Sequence, residues 1–146
     1  MSKKIFLITL LLASITFAKS QKMWEHQHSF VLKKDQVANI YIDEINIKNK
    51  QKNSSYLLKF KWVVYENGSL ILLLNYMGYP HQYILKRERS LESVKIKLLS
   101  DLNGFNSEVY ALINFSNFNK SKQLAGLNVY IKDMKKRVLT KFIDPK

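Results

Sequence analysis

His26-Gln27-His28 is the segment of this chain whose residue types come nearest to a chemical site. In an extended backbone residues two apart point the same way, so both imidazoles face one side and are placed to grip one Zn²⁺ or Cu²⁺. His81 offers a third ligand, and Glu25 a carboxylate on the opposite face. Two histidines fall short of the three or four ligands that a catalytic or structural zinc site uses, so metal binding at His26 and His28 stands as an alternative reading. No cofactor is expected.

Other chemistries find less support. Asp101-Leu102-Asn103-Gly104-Phe105-Asn106 has the flavour of a calcium loop, but its glycine falls at the fourth position and Leu112 stands at the twelfth. An EF-hand wants glycine at the sixth and an acidic residue at the twelfth, so the segment reads as a β-turn. No serine sits in a Gly-x-Ser-x-Gly elbow. Asp43 and Glu44 are neighbours, and on a regular strand they point to opposite faces instead of converging as an acid/base pair. With no cysteine and four glycines, the chain has no thiol chemistry and no Gly-rich phosphate loop. A non-enzymatic protein is expected, with a small hydrolase or metal-dependent protein using His26, His28 and His81 as the alternative.

Two surfaces are suited to binding. Tyr76, Tyr79 and Tyr83, with Met77 and Pro80, cluster around a turn, where tyrosines either stack on sugar rings, grip a protein, or plug one end of the core. Lys86, Arg87, Arg89, Lys95 and Lys97 form a flanking basic set, and Lys132, Lys135, Lys136 and Arg137 a second one. Outward cations on a sheet suit phosphate or sulfate groups, and on an edge strand they also resist aggregation. Asn53, Asn67, Asn114 and Asn119 each begin an Asn-x-Ser sequence, which in this composition does not decide the source kingdom.

The compartment follows from the first eighteen residues. Lys3 and Lys4 open the chain, an apolar stretch covers residues 5–12, and smaller residues run to Ala18. This is the pattern of a secretory signal peptide cut before Lys19. As a helix, residues 5–18 span about 21 Å, short of a bilayer core of about 30 Å, which argues against a permanent anchor. Removing eighteen residues from 146 leaves a single domain of 128, and the net charge drops from +13 to +11 as Lys3 and Lys4 depart. Such a charge attracts polyanions, and export makes nucleic acid an unsuitable natural target. A bacterial periplasm or secretion to the outside is expected, without a membrane span after cleavage.

The elements that must position these residues are short β-branched and aromatic runs separated by Asn, Gly, Asp and Ser. Residues 19–29 read as a polar lead-in. Over 37–47, Ile40 and Ile42 and then Ile45 and Ile47 alternate, with a slip at Asp43-Glu44 that predicts a bulge. Residues 56–65 and 69–76 flank Glu66-Asn67-Gly68 as a hairpin. Phe60, Trp62 and Val64 are expected on one face, and the stretch 70–74, apolar on both faces, reads as a central strand covered on both sides. Residues 81–85 and 107–115 are strands, 90–102 leans to strand over helix, and 116–123 is a loop. The tail, 124–143, reads as a hairpin around residues 133–136, with a C-terminal helix as the alternative. About eight strands predict an all-β antiparallel sandwich or small barrel; the alternative is α+β. The expected role is an exported β-domain binding a protein or an anionic envelope polymer through the Tyr-rich loop and basic face. A further alternative is a structural accessory subunit of an envelope assembly.

Overall fold

Alternating apolar residues commit most of this chain to strands buried on one side, and strands of that kind are stable only when a second sheet covers the apolar face. A computed structural model describes residues 24–88, 91–99 and 108–146. The predicted signal peptide, Arg89 and the turn at 101–106 lie outside these described residues.

Among the described residues nine strands follow in order: β1(His26–Lys33), β2(Ala38–Ile45), β3(Lys52–Glu66), β4(Ser69–Tyr76), β5(Tyr79–Lys86), β6(Ser93–Leu99), β7(Val109–Asn119), β8(Leu124–Lys132) and β9(Val138–Ile143). They form two antiparallel sheets, ordered β1-β8-β7-β6 and β5-β4-β3-β2-β9. The fold is an all-β sandwich. Among the described residues there is no helix, so none is long and apolar enough to cross a membrane.

Each sheet is built on one meander, β2 to β5 and β6 to β8, and the terminal strands cross over. β1 pairs with β8, setting Phe30 opposite Leu127, while β9 pairs with β2, setting Phe142 opposite Ile40. The chain ends therefore lock the two meanders together. The tail is two strands, as expected, but not a hairpin: β8 and β9 lie in different sheets. The turn at residues 133–137 carries the chain across, and the Asp133 carboxylate accepts the Val138 N–H at 2.8 Å.

One core joins the inner faces. Phe30 and Leu32 of β1 meet Phe60 and Trp62 of β3, with the Phe30 and Phe60 rings edge-on at 5.3 Å. The Trp62 indole N–H donates to the Leu32 carbonyl at 2.8 Å, satisfying both buried groups. Two tight turns use positive φ: Asn67-Gly68 closes β3–β4 as expected, and Met77-Gly78 closes β4–β5 in the same manner.

Bulges overturn two expectations and bear out a third. The β3–β4 register slips between Trp62 and Val64, so the inward series is Phe60, Trp62, Tyr65, and Val64 faces solvent at 40 % exposure. The bulge expected at Asp43-Glu44 is present: the register shifts between Glu44 and Ile45, with Asn53 as the extra residue on the partner strand, and Ile42 and Ile45 both point inward. A bulge at Ser116 lets β7 run on to Asn119, where a loop was expected. Beyond it Phe118 turns inward and stacks on Tyr65 at 3.8 Å, edge-on to Trp62. Opposite that bulge stands Gly126, where a Cβ would lie 2.5 Å from Asn117 Oδ1 and 2.6 Å from Ser116 Oγ. The polar lead-in is also shorter than expected, since β1 begins at His26.

β4 is central, flanked by β3 and β5, but it is covered on one side only. Leu70, Leu72 and Leu74 are buried, whereas Ile71 and Leu73 are half-buried on an outer face that no described element covers.

Candidate functional site

The two histidines do share a face, as their spacing requires, but it is the inner face at the edge of the sandwich. His28 stands opposite Val129 and His26 opposite Ile131, both buried. The His28 ring stacks on Phe142 at 5.1 Å, and its Nε2–H donates to the Asp144 carboxylate at 3.0 and 3.2 Å. That bond ties β1 to the end of β9 and so joins the two sheets. His81 sits on β5, four strands from β9 in the same sheet, or about 19 Å at normal strand spacing. The histidine set is not brought together. Among the described residues no group of three His, Cys, Asp or Glu side chains is placed to hold a metal.

The tyrosine set divides as well. Tyr76 belongs to the core: it shares the inward side of β4 with Leu70, Leu72 and Leu74, and its hydroxyl donates to the Leu98 carbonyl at 2.9 Å. Burial holds its phenol well above the ordinary range, with Tyr56 and Glu44 adding to the shift. Tyr83 packs partly against the core, while Tyr79 is 69 % exposed beside the Met77-Gly78 turn. Lys86 ends β5 and Arg87 follows it exposed. Tyr79 and Lys86 lie at opposite ends of this eight-residue strand, about 23 Å apart. Tyr76, Tyr79 and Tyr83 therefore do not form one patch with Lys86 and Arg87.

Lys95 and Lys97 take a different company. Both point outward from β6, on the four-stranded sheet. Lys97 pairs across to Tyr110, which pairs to Lys132; the next row runs Lys95, Leu112, Tyr130, Gln27. Trp24, just ahead of β1, lies over this end of the sheet, 5.3 Å from the Tyr130 ring and edge-on to Tyr110 at 6.2 Å. Lys95 Nζ stands 4.2 Å from the Tyr110 ring centre and Lys132 Nζ 5.8 Å, within reach of the ring's negative face. Lys95 also bonds Glu108 at 2.8 Å. That bond, followed by the field of Lys95, Lys97 and Lys132, holds the Glu108 carboxyl below its usual range. The cluster thus stabilises a negative charge already.

A polar row lies one step along the same face. Ser29, Asn128, Asn114 and Ser93 stand side by side across all four strands. Ser29 donates to Asn128 at 2.8 Å, and Asn114 to Ser93 at 3.1 Å. A cleft of about 360 Å³ opens between Gln27, His28, Ser29 and Tyr130. Three rings, three ammonium groups and a strip of hydroxyls and amides therefore share one outward surface. Trp24, Tyr110 and Tyr130 were missed from sequence. The sign for two of them is parity: Tyr110 lies between inward Val109 and Ala111, and Tyr130 between inward Val129 and Ile131.

Compared with protein-family models, with curated proteins and with solved structures, the chain finds no match.

Proposed function

We propose that this chain is exported to the periplasm or beyond, and that it is a binding module for an anionic glycan polymer of the cell envelope. The ligand would lie on the outer face of the four-stranded sheet. What carries this reading is the meeting of Trp24, Tyr110 and Tyr130 with Lys95 and Lys132 at the distances given above, and with Lys97 directly across from Tyr110. Aromatic faces take up the C–H faces of sugar rings, and lysines pair with carboxylate or phosphate substituents. The adjacent Ser and Asn row offers donors and acceptors matched to sugar hydroxyls. Export rests on the leader pattern of residues 1–18, with Lys3 and Lys4 ahead of an apolar run ending at Ala18.

Affinity electrophoresis tests this, with gels that hold either a polyuronic acid or an uncharged polysaccharide. The protein should be retarded by the polyuronic acid far more than by the neutral polymer. Tyr130→Ala, which changes no charge, and Lys97→Glu should each weaken binding roughly tenfold, equivalent to about 1.4 kcal/mol. Lys122→Glu makes the same charge change in the β7–β8 turn, at the far end of the sheet, and should have little effect. Equal losses for Lys97→Glu and Lys122→Glu, with Tyr130→Ala unchanged, would reduce the interaction to net charge and sink the proposal.

A further inference from the structure

Glycan binding leaves the outer face of the five-stranded sheet unused. Ile84, Ile71 and Val64 form one row across β5, β4 and β3, with Leu73 beside it and Leu57 and Tyr41 further along. Ile84 is 56 % exposed and Tyr41 47 %. Lys61 shares a row with Leu73, and Lys141 one with Tyr41 and Leu57, while Lys59 and Lys86 stand on the same face in the rows that flank the apolar ones. Of the acidic groups on this side, Asp35 and Asp43 are held by Lys61 at 3.0 Å and Lys52 at 2.9 Å, and Glu66 shares a row with Ser69 and Lys86. A groove of about 420 Å³ runs between Lys59 and Lys61 on one side and Pro80 and Gln82 on the other, floored by Leu73.

Three occupants differ in how they treat those lysines. A second copy would set two lysine-studded faces of a chain carrying +11 after loss of Lys3 and Lys4 against each other, which repulsion opposes. A protein partner would bury ammonium groups within the centre of its interface, where lysine is depleted. At an anionic bilayer the aliphatic side chains enter the head-group boundary, and each lysine rises along its stem to a phosphate. Interleaving of aliphatic and cationic side chains, in place of an apolar centre with a charged rim, fits the third.

We infer that the outer face of the five-stranded sheet docks on the surface of an anionic lipid bilayer, with the groove seating one head group against Lys59. The sandwich then lies flat, and its aromatic–lysine face is turned away from the membrane toward the polymer layer. This face and the proposed glycan face are on opposite sheets, so either can fail without the other.

The test is co-sedimentation of the exported protein with vesicles of phosphatidylcholine containing phosphatidylglycerol, and with phosphatidylcholine alone. Binding should require phosphatidylglycerol. Ile84→Glu and Lys59→Glu, both at exposed positions, should each weaken it roughly tenfold or more. Lys122→Glu, equal to Lys59→Glu in charge, should weaken it less than about twofold. Circular dichroism of each variant confirms that the sandwich is intact. No preference for phosphatidylglycerol, or equal losses for Lys59→Glu and Lys122→Glu, overturns the inference. A dimer in solution that Ile84→Glu dissociates, or a stable complex with an acidic protein that it breaks, would assign the face to that occupant instead and overturn it too.

Discussion

Replacing Tyr76 by phenylalanine separates a tyrosine of the core from a tyrosine of a binding loop. The substitution keeps the ring among Leu74, Tyr56 and their neighbours and deletes one oxygen. That oxygen donates to the Leu98 carbonyl at 2.9 Å, a link from β4 in one sheet to β6 in the other. Losing a buried hydrogen bond costs about 0.5–1.5 kcal/mol, and a carbonyl left without its donor adds to that, so about 1–2 kcal/mol is expected at pH 7. A domain of some 120 residues loses about 0.25 kcal/mol per degree near its midpoint, so the melting temperature should fall by about 4–8 °C.

The same residue sets a pH dependence. Its folded pKa is raised above the unfolded value of about 10, chiefly by burial, so the native state keeps a proton that the unfolded state releases. This contribution is fully present below about pH 10 and declines as pH rises toward the folded pKa, by about 1.4 kcal/mol per pH unit. The phenylalanine of the variant has no proton to lose. The stability gap seen at pH 7 should therefore close by about pH 11, where one unit of this slope matches the mutational cost. Chemical denaturation of both proteins from pH 7 to pH 11 measures it. A variant as stable as the parent at pH 7, or a gap that widens above pH 10, would refute the burial and hydrogen-bond reasoning. Glycan and vesicle binding should be unchanged by the substitution.

The β3 bulge predicts that Val64→Asp shifts stability by less than about 0.5 kcal/mol, whereas Tyr65→Ala, which strips the ring from Phe118, costs about 2–4 kcal/mol. The expectation of an inward Val64 requires the reverse order, and urea unfolding distinguishes them. Asp43 and Glu108 both carry depressed pKa values, Asp43 chiefly through Ser55 and Lys52, and Glu108 chiefly through Lys95. Their contributions are present above about pH 4 and lost as pH falls through the folded values, so an Asp43→Asn, Glu108→Gln double variant should lose less stability between pH 5 and pH 2. Each partly exposed pair is worth under about 1 kcal/mol, so the flattening should be modest; parallel acid-unfolding curves would contradict it. Because His28 is committed to Asp144 and His81 lies on the far strand, equilibrium dialysis should find no stoichiometric Zn²⁺ at micromolar concentration. His28→Ala should instead lower stability by about 1–2 kcal/mol through the lost link between sheets, with circular dichroism as the check.

Local signals in the sequence carried the strands, and the partners of those strands came only with the structure. Asn67-Gly68 names its own turn because few residue pairs accept positive φ twice, and the alternation of Ile40 with Ile42 needs no partner to be read. The extra residues of the bulges, Asn53 and Ser116 among them, are defined by the strand opposite, which no local window contains. The same holds for β8 and β9, whose short connection looks like a hairpin turn although the strands part to different sheets. Period-two counting from Leu70 places Tyr76 inward with Leu72 and Leu74, a count that does not carry to the tyrosines at 79 and 83, beyond the Met77-Gly78 turn. Lys95 and Lys97 were recognised as outward cations. Their aromatic neighbours come from β7, β8 and the approach to β1, and it takes the order β1-β8-β7-β6 to bring those together.

The most direct test of the glycan-binding surface is a titration of isotopically labelled protein with a soluble polyuronic acid, followed by amide and aromatic chemical shifts. The shifts should concentrate on Trp24, Lys95, Lys97, Tyr110, Tyr130 and Lys132, extend to Asn114 and Asn128, and be absent with the uncharged polymer. Shifts spread evenly over the lysines of both sheets, or centred on Tyr79 and Arg87, would contradict the assignment of this face.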